Sequence, residues 1–461
     1  MSNTPMPSDV RTAYNDLIRY LYGRINYENA VQMPYQGELR LDRMRHLLEQ
    51  IGNPQQQLRI IHVAGTKGKG STCHLVSSVL MAAGQRVGLY TSPHLSRLEE
   101  RFRLDGQPCA VEKFLRIMEP IRQVVDTMDQ ANWRPTFFEI TTAAAFLLFA
   151  DAQVDWAVME VGLGGRLDST NVCQPMVTAI TSISYDHTAQ LGNTLAKIAT
   201  EKAGIIKTNI PVISGAGSDE AKDVIRKIAK SRSAPLIEWG TDFDVRIQRH
   251  DHGAFVFDYL RIDKTGQRHM KLANLALQLL GEHQVANAAM TLAILETLNL
   301  ELSESHIRRG LNTATCPARI EVVSESPKIL VDAAHNVASI AALLKTLAVI
   351  IPDDQPKTLI LALTQGKDLE GMARLLIPRF DRIICTQYLN NPRAVPSQQL
   401  MDLMQRLTVD AGADTYIVHQ PTPAAALDYA RQPSSAAHQV LCATGSFFIA
   451  AEIRDILLGQ G

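Results

Sequence analysis

The most constraining feature of this sequence is a series of short apolar runs that alternate with helix-like stretches. In the first part of the chain these runs occupy residues 60–64, 86–91, 154–161, 176–183 and 211–214. A second series occupies residues 329–331, 358–363, 382–386, 416–418 and 439–443. Many are apolar at successive rather than alternate residues, which is typical of strands covered by helices on both faces. The pattern therefore predicts parallel α/β sheets.

Glycine and proline residues between these runs divide the chain into segments. Helical stretches include residues 71–83, before Gly84, and 338–350, before Pro352. Residues 246–272 instead alternate polar and apolar side chains around the turn-forming pairs His252-Gly253 and Thr265-Gly266, as β-hairpins do. A break at Pro317 places a domain boundary near residue 313. We predict an α/β fold: a P-loop-type parallel-sheet domain with a small β appendage at residues 1–313, then a smaller Rossmann-like α/β domain at residues 314–461.

Composition narrows the classes of function. The 461 residues carry a formal net charge of −1 without blocks of like charge, which argues against a nucleic-acid partner. The apolar stretch at residues 143–150 is far shorter than the roughly 20 residues of a membrane span, and the first residues lack the apolar segment of a secretory signal. Six scattered cysteines without a C-x-x-C pair argue against a zinc site and favour reduced thiols. We expect a cytoplasmic protein without a membrane partner. We also expect a monomer, because one chain contains both predicted domains and hence both halves of a cleft between them.

A glycine-rich stretch, IIHVAGTKGKGST at residues 60–72, links the first predicted strand to a predicted helix. It departs from the phosphate-loop pattern G-x-x-x-x-G-K-[ST], because Val63 stands at the first glycine and Gly70 separates Lys69 from Ser71. Its glycines still let backbone N–H groups approach an anion, and the helix start adds a partial positive charge. Lys69 can neutralise phosphate oxygens, and Ser71 can offer a hydroxyl to Mg²⁺. The loop predicts a nucleotide site; the alternative is a glycine-rich turn without a ligand.

Polar residues follow three other predicted strands. Ser92 opens a Ser-Pro-His turn, Glu160 ends the strand at residues 154–161, and His187 follows the strand at residues 176–183. Carboxyl ends of parallel strands share one edge of a sheet, where ligands of α/β proteins bind. The carboxylate of Glu160 is therefore a candidate ligand for the Mg²⁺ of ATP. The alternatives are an ordinary turn at Ser92, a buried pair between Glu160 and Arg166, and a core histidine at His187.

These motifs carry a resemblance to a known family. The loop GTKGKGST resembles that of the folylpolyglutamate synthase and dihydrofolate synthase family, a branch of the ATP-dependent Mur ligases, which has the same displaced glycine. Lys67 stands where the family often has Asn. Further similar segments are YTSPHLSRLEERFRLDG, VMEVGLGGRLDSTN, SISYDHT, TLAKIATEKAGIIK, GEHQVANAAM, CPARIEVV and VDAAHNVAS. The resemblance runs from about residue 39 to residue 453.

The resemblance implies three sets of binding residues. The ATP set is Gly65, Thr66, Lys67, Gly68, Lys69, Gly70, Ser71, Asn287, Arg319 and Asp332. The metal set, for two Mg²⁺ sites, is Ser71, Ser92, Glu160 and His187. The folate set is Ser92, Pro93, His94, Phe138, Glu139, Arg166 and Asp168. Weaker candidates in the late segments are Lys367, Asp368 and Ser446.

The resemblance also implies catalytic roles for Lys69, Lys202 and His335. The family's lysine in EKAGI is carbamylated by CO₂, which points to N6-carboxylysine at Lys202; a solvated charge at the end of a helix is the alternative. His335 would face the acyl phosphate or the incoming glutamate. The segment VDAAHNVAS departs from the family's DGAHNP at Ala333 and Val337.

The implied reaction is ATP-dependent addition of L-glutamate to a folate carboxylate through an acyl phosphate, with release of ADP and phosphate. The acceptor is dihydropteroate, tetrahydrofolate or a folyl-glutamate, and the choice stays open. The segments at residues 39–44 and 97–106 are candidates for deciding it.

Three other functions compete with this interpretation. A cell-wall Mur ligase needs a further N-terminal domain, and only 64 residues precede Gly65. A nucleotide-binding regulator without ligase activity would not need the polar residues in both domains. A simple P-loop NTPase switch leaves the SPH and DAAHN segments unexplained.

Overall fold

The computed structural model describes residues 7–26, 41–251, 254–389, 391–432 and 439–459. The chain divides into two compact units. One comprises Met1–Arg246, Asp258–Leu275 and Ala286–Ala314, and the other comprises Ile247–Phe257, Ala276–Val285 and Thr315–Gly461.

The first unit is built on an eight-stranded sheet. Its strands are β1 (Ile60–Ala64), β2 (Val87–Tyr90), β3 (Phe102–Leu104), β4 (Gln107–Pro108), β5 (Trp156–Glu160), β6 (Val177–Ile180), β7 (Val212–Ser214) and β8 (Leu236–Glu238). They lie in the order β4-β3-β2-β5-β1-β6-β7-β8. The six strands from β2 to β8 in this order pair in parallel, and β3 and β4 add an antiparallel edge.

Helices cover this sheet. They are α1 (Ser8–Tyr22), α2 (Leu41–Gln50), α3 (Lys69–Ala82), α4 (Val111–Gln130), α5 (Phe137–Asp151), α6 (Thr188–Leu191), α7 (Leu195–Ala203) and α8 (Asp219–Ser231). One apolar core joins α1, α2, α4 and α5 to the sheet, and a second joins α6, α7 and α8 to it. Every residue of β1, β2, β5 and β6 is buried, which explains their uninterrupted apolar runs.

The segment after β8 forms a three-stranded sheet. Its strands, β9 (Phe243–Asp251), β10 (Ala254–Ile262) and β11 (Arg268–Leu277), follow the order β11-β10-β9. The predicted turn at Thr265-Gly266 is confirmed, since the N–H of Gly266 donates to the carbonyl of Asp263 at 2.9 Å. The other predicted turn, His252-Gly253, lies outside the described residues. Helices α9 (Glu282–Thr297) and α10 (Glu304–Thr313) follow.

The second unit contains a six-stranded sheet. Its strands are β12 (Glu321–Glu325), β13 (Lys328–Val331), β14 (Lys357–Leu361), β15 (Arg382–Cys385), β16 (Tyr416–His419) and β17 (Val440–Thr444). The order is β12-β13-β17-β14-β15-β16, parallel except for the edge strand β12. Its helices are α11 (Val337–Ile350), α12 (Leu369–Leu376), α13 (Ser397–Ala411), α14 (Pro423–Arg431) and α15 (Phe447–Leu458).

The predicted α/β fold and every predicted strand run are confirmed, with small shifts at their ends. The predicted start of the helix at residue 71 is wrong: α3 begins at Lys69, so this lysine belongs to its first turn.

All six cysteines are free and buried. Within the described ranges, every helix is too short or too polar to cross a membrane.

Candidate active site

Four neighbouring strands of the first unit place the predicted metal- and phosphate-binding residues at one edge of the sheet. In the order β2-β5-β1-β6, they are followed by Ser92, by Glu160 at the strand end itself, by the glycine-rich loop, and by the segment that leads to His187. Since these strands are parallel, their carboxyl ends share the edge at which α/β proteins bind ligands. The sheet thus places together residues that are up to 122 positions apart in the sequence (Gly65 to His187).

The glycine-rich loop ends in the N-terminus of α3. Gly68 is the N-cap residue with φ of 88°, a left-handed conformation that favours glycine. A Cβ at this position would collide with the side-chain amide of Asn287, a buried residue of α9. Asn287 therefore packs directly against the loop, as its predicted place in the ATP set requires.

The loop is joined to the segment after β6 by hydrogen bonds. The N–H of Thr66 donates to the carbonyl of Ser182 at 2.7 Å, and that of Lys67 donates to the hydroxyl of Ser182 at 3.1 Å. The hydroxyl of Thr66 accepts from the N–H of Ser184 at 3.1 Å. The hydroxyl of Thr181 donates to the carbonyl of Lys67 at 2.7 Å. The loop and the segment that carries His187 therefore form one connected structure.

Glu160 lies between this loop and the turn after β2. Its Oε2 accepts from the N–H of Ser92 at 3.0 Å, and its Oε1 would be 3.5 Å from a Cβ placed on Gly70. Both Glu160 and Ser71, the residue after Gly70, are buried. The carboxylate is thus held where the helix start and the turn meet, close to two predicted hydroxyl ligands.

The oxygen donors of Glu160, Ser71 and Ser92 suit Mg²⁺ better than they suit a metal whose ligands are all protein side chains. Within the described ranges, no three His, Cys, Asp or Glu residues are grouped closely enough to hold a metal ion. Glu160 with the hydroxyls of Ser71 and Ser92 offers one carboxylate and two neutral oxygens. Mg²⁺ commonly binds through one or two carboxylates plus substrate phosphates, whereas zinc sites are built from several His or Cys ligands.

His187 is more exposed than the other predicted metal ligands. It has φ of 49°, and it precedes the short helix α6. Its N–H donates to the carboxylate of Asp186 at 3.0 Å. Asp186 also acts electrostatically on Lys67 and Lys202, where its negative charge opposes the lowering of each pKa.

Lys202 is not a solvated helix-end charge. The residue is buried on α7, and its Nζ donates to the carbonyl of Gly65 at 2.9 Å. Burial and, to a smaller extent, the positive charge of Lys69 together lower the pKa of this amine to about 7. A substantial fraction of the amine is therefore neutral near pH 7, the form in which an amine is a nucleophile.

Among the predicted folate residues after β2, His94 forms a half-buried polar contact. His94 follows a cis Ser92-Pro93 bond, and its Nδ1 accepts from the Nε of Arg101 at 2.8 Å. Its Nε2 is 3.1 Å from the hydroxyl of Tyr22. Burial lowers the pKa of His94 to about 3, and the charge of Arg101 contributes to the shift.

The predicted pair Phe138 and Glu139 lies in the first turn of α5. The ring of Phe138 fills the space beside Gly162, where a Cβ would meet it. Glu139 forms a capping box with Thr136, and its two oxygens accept from the Nε of Arg43 at 2.9 and 2.8 Å. Glu139 is therefore held by a helix cap and an ion pair, with Arg43 as an additional residue of this region.

Asp168 and Arg166 shape the loop after β5. The Asp168 carboxylate is buried and accepts from the N–H of Leu163 at 2.9 Å and from the N–H of Thr170 at 3.0 Å. Burial raises the pKa of Asp168, and these hydrogen bonds oppose the shift. Arg166 forms an ion pair with Glu201 of α7 at 2.9 Å. Both side chains thus fix the loop, and direct contact with a folate stays a prediction.

In the second unit, Asp332 supports the loop that carries Arg319. The Asp332 carboxylate accepts from the N–H of Ile320 at 2.9 Å, and the N–H of Ala333 donates to the carbonyl of Ala318 at 3.0 Å. Ala318 and Ile320, on either side of Arg319, have φ of 54° and 49°. A left-handed isoleucine is strained, and strain of this kind is concentrated at functional sites.

The predicted DAAHN loop leads into α11. The Nδ1 of His335 is 2.9 Å from the carbonyl of Ala333, so Nδ1 carries a hydrogen and donates it to this carbonyl. Asn336 is the N-cap and accepts from the N–H of Ser339 at 2.9 Å. Ala333 is not among the residues with positive φ, and Val337 is the first residue of α11. The two departures from the family sequence are therefore compatible with the backbone here.

The weaker candidates are mainly helix caps. Asp368 caps α12 and Ser446 caps α15, each through its side-chain oxygen. Lys367 and Asp368 line a cavity of about 710 Å³ together with Glu370 and Arg406.

Sequence analysis missed three residues that this geometry brings to the site. Tyr22, Arg43 and Arg101 contact the predicted folate residues His94 and Glu139. Arg101 lies within the similar segment after β2 and could have been found there. Arg43 lies within residues 39–44, one of the segments expected to bear on the choice of acceptor, whereas the position of Tyr22 on α1 depends on packing that no local pattern reveals.

Comparison with known proteins agrees with this geometry. Residues 63–295 match the model of the Mur ligase middle domain, and residues 318–447 match that of the Mur ligase glutamate ligase domain. The fold and the site thus define an ATP-dependent ligase of the Mur type. Within that class, the chain belongs to the family of folylpolyglutamate and dihydrofolate synthases.

Individual relatives support the assignment over almost the whole chain. The folylpolyglutamate synthase of Lacticaseibacillus casei is 34% identical over 426 residues, which cover 90% of this chain and 94% of the relative. The dihydrofolate synthase/folylpolyglutamate synthase of Escherichia coli is 33% identical over 91% and 92% of the two chains. The crystal structure of folylpolyglutamate synthase from Thermotoga maritima superposes with a TM-score of 0.84 at 31% identity and covers 98% of each chain.

Proposed function

We propose that this protein is an ADP-forming ligase that uses ATP to join L-glutamate to the carboxylate of a folate. The observation that carries the proposal is the meeting of the glycine-rich loop, Glu160 and Lys202 at one edge of the sheet. The printed names of relatives support the substrate class, and Mycobacterium tuberculosis and Escherichia coli family members have been solved with ADP.

The chemistry requires an activated carboxylate, because a free carboxylate is a poor electrophile for an amine. A carboxylate oxygen of the folate attacks the γ-phosphorus of ATP, which forms an acyl phosphate and releases ADP. The glutamate nitrogen then attacks the acyl carbon; phosphate leaves and the nitrogen loses a proton. Lys69 and the N–H groups at the start of α3 would neutralise charge on the phosphates, which is the main demand of phosphoryl transfer.

We propose that Mg²⁺ binds with ATP. Glu160, Ser71 and Ser92 would hold one ion and His187 would contribute to a second. A bound Mg²⁺ supplies charge neutralisation on the transferred phosphoryl group. The fit rests on the buried carboxylate, which accepts from the N–H of Ser92 and lies beside Gly70, the residue before Ser71.

For Lys202 we propose carbamylation by CO₂. The neutral amine attacks the carbon of CO₂ and loses a proton, which gives a carbamate anion. Burial, which lowers the pKa to about 7, supplies the neutral amine that this step needs. The new anion would lie near the loop and the Asp186–His187 segment, where a cation would stabilise it.

The remaining roles follow from the family membership. We propose residues 1–313 as the ATP-binding domain and residues 314–461 as the glutamate-ligase domain. Asn287, Arg319 and Asp332 complete the proposed ATP set, and His335 is proposed to face the acyl phosphate or glutamate. The packing of Asn287 against Gly68 supports its assignment. We also propose that the protein acts as a monomer, which size exclusion with light scattering would test.

The decisive experiment measures Mg²⁺- and ATP-dependent phosphate release with L-glutamate and compares dihydropteroate with tetrahydrofolate, with product masses determined. Addition of one glutamate to each would establish a bifunctional enzyme, which is our proposal. Turnover of only one acceptor would define a dihydrofolate synthase or a folylpolyglutamate synthase. Turnover of neither, by protein that binds ATP, would contradict the folate assignment and favour a regulator or another carboxylate substrate.

A further inference from the structure

A chain of buried hydrogen bonds leads from strand β1 to the loop after β5. The Sγ of Cys173 is 3.8 Å from the Nδ1 of His62, which lies on β1. The Nε2 of His62 is 2.8 Å from the hydroxyl of Thr170, and this hydroxyl donates to the Oδ1 of Asp168 at 2.5 Å. All four side chains are buried. The chain therefore ends at one of the predicted folate residues, Asp168.

The hydrogen bonds of this chain have one direction. The only hydroxyl hydrogen of Thr170 is donated to Asp168, so the Thr170 oxygen accepts from the Nε2 of His62. His62 is neutral, since burial lowers its pKa to about 3 and the charge of Lys207 contributes to the shift. Its Nδ1 therefore accepts from the thiol of Cys173. Loss of the Thr170 hydroxyl would leave the buried N–H of His62 without its acceptor, which is unfavourable.

Asp168 transmits this arrangement to the loop after β5. Its Oδ2 accepts from the N–H of Leu163 at 2.9 Å, and its Oδ1 accepts from the N–H of Thr170 at 3.0 Å. The carboxylate thus joins the beginning of the loop to its end. The position of the carboxylate sets the path of the loop, and the hydroxyl of Thr170 helps to set the position of the carboxylate.

The loop of residues 162–168 is packed against other parts of the proposed site. It begins two residues after Glu160. A Cβ on Gly162 would collide with the ring of Phe138, a predicted folate residue, and a Cβ on Gly165 would lie 2.9 Å from the carbonyl oxygen of Lys202. Because these contacts leave no free space, a shift of the loop must displace its neighbours in the folate part of the site.

We propose that His62 and Thr170 are positioning residues for the folate substrate. They act through Asp168, which they hold so that the loop of residues 162–168 keeps the conformation that receives the folate. The phosphate loop is held by separate hydrogen bonds from Lys67 to Ser182 and Thr181, so ATP binding should not depend on them. This inference rests on the proposed folate ligase function and deepens it.

The kinetic test compares Thr170→Val, which removes the hydroxyl and keeps the shape, with Thr170→Ser, which keeps the hydroxyl. Thr178→Val is the matched control, because Thr178 is a buried threonine of β6 whose hydroxyl donates to the carbonyl of Pro211 at 3.2 Å. Loss of one hydrogen bond in Thr170→Val should raise the KM for the folate about three- to tenfold. The KM for ATP and the kcat should stay unchanged, and the other two variants should keep the KM of the unsubstituted protein for both substrates.

A second pair of variants tests the other end of the chain. His62→Met removes the N–H that Thr170 accepts, whereas His62→Gln keeps an N–H donor in the side chain. His62→Met should raise the KM for the folate as Thr170→Val does, and His62→Gln should raise it less. This pair decides the matter if Thr170→Val does not fold.

Hydrogen exchange detected by mass spectrometry measures the loop itself and needs no turnover. In Thr170→Val the amides of residues 162–168 should exchange faster, while those of residues 65–71 should exchange as in the unsubstituted protein. A purely structural role would raise the KM for folate and for ATP equally, or would affect Thr170→Ser as much as Thr170→Val, and either result would overturn the inference.

The two proposals fail in different ways. If the unsubstituted protein ligates glutamate to folate and Thr170→Val has an unchanged KM for folate, only this inference fails. If the unsubstituted protein ligates no folate, the proposed function fails, and the assignment of His62 and Thr170 to folate binding fails with it, whatever the exchange of residues 162–168 shows.

Discussion

The buried amine of Lys202 donates a hydrogen bond of 2.9 Å to the carbonyl oxygen of Gly65, the first glycine of the phosphate loop. A helix of the first unit and its nucleotide loop are thus joined through one ionisable group. A lysine that served only as a surface charge would not be placed there, because burial of an ammonium group is costly.

Lys202→Ala should nearly abolish ligation while the fold persists, because the anion proposed to form on this residue is lost. Added acetate or propionate should restore part of the activity if a carbamate is the active form, since a small carboxylate can occupy its place. Rescue by propylamine instead would show that the amine itself acts. Lys197→Ala, at an exposed lysine of the same helix, is the matched control. Full activity of Lys202→Ala would refute the assignment.

Glu160→Gln should raise the Mg²⁺ concentration needed for half-maximal turnover. Glutamine keeps the size and can still accept from the N–H of Ser92, but it removes the only charge in the proposed ligand set of the first ion. The required Mg²⁺ concentration should rise at least about tenfold, which is the scale found when the surroundings of a metal ligand are altered. Glu238→Gln, on β8, breaks an ion pair with Arg226 of α8 and should leave the Mg²⁺ requirement unchanged. Identical Mg²⁺ titrations for both variants would argue against a metal at Glu160.

Gly68→Ala should weaken ADP binding strongly. The substitution adds a methyl group that meets the amide of Asn287 at a residue with φ of 88°. Gly84→Ala is a matched control, because its φ of 80° is similar and no atom lies within 4 Å of the added Cβ. We expect Gly84→Ala to cost about 1–2 kcal/mol of stability from backbone strain alone, with ADP affinity unchanged. Calorimetric titration with ADP, together with chemical unfolding, distinguishes the two effects.

Arg319→Ala should lower turnover more than it lowers the melting temperature. Arg319 is proposed to contact ATP, and its loop is already held by Asp332 and by backbone hydrogen bonds that the substitution leaves in place. Steady-state kinetics and a thermal melt of the same preparation test this. An unchanged rate would remove Arg319 from the ATP set.

Stability at acid pH should depend on His62. This residue of β1 is buried, its Nε2 is 2.8 Å from the hydroxyl of Thr170, and burial lowers its pKa to about 3. Between pH 6.5 and 3 the unfolded chain binds a proton at this histidine and the folded protein does not, so stability is lost as the pH falls.

In His62→Gln this contribution is absent. The advantage of the unsubstituted protein over the variant should therefore shrink below pH 6.5, by about 1.4 kcal/mol per pH unit at most. Denaturant unfolding at a series of pH values between 7.5 and 5 measures the difference. Parallel stability curves for the two proteins would show that His62 is already charged in the fold or is accessible to protons.

The sequence was most informative where one local pattern decides the structure. Continuous apolar runs identified the central strands, and strand ends located Glu160 and the phosphate loop. The strands β3, β4, β8 and β12 were missed because they lie at or next to a sheet edge, where polar residues such as Arg103, Gln107 and Glu321 interrupt the apolar runs. Tyr22 was missed, and Arg43 was included only as part of residues 39–44, because their contacts arise when distant helices pack on the sheet. No spacing rule connects residue 43 to residue 139.

The hydrogen bonds between the phosphate loop and the segment after β6 determine which substitutions the loop can accept. The N–H and carbonyl groups of Lys67 contact Ser182 and Thr181, and these are main-chain atoms that every residue type possesses. These bonds that hold the loop can form whichever side chain stands at position 67. Substitution at this position can therefore change the charge at the loop without removing these main-chain hydrogen bonds.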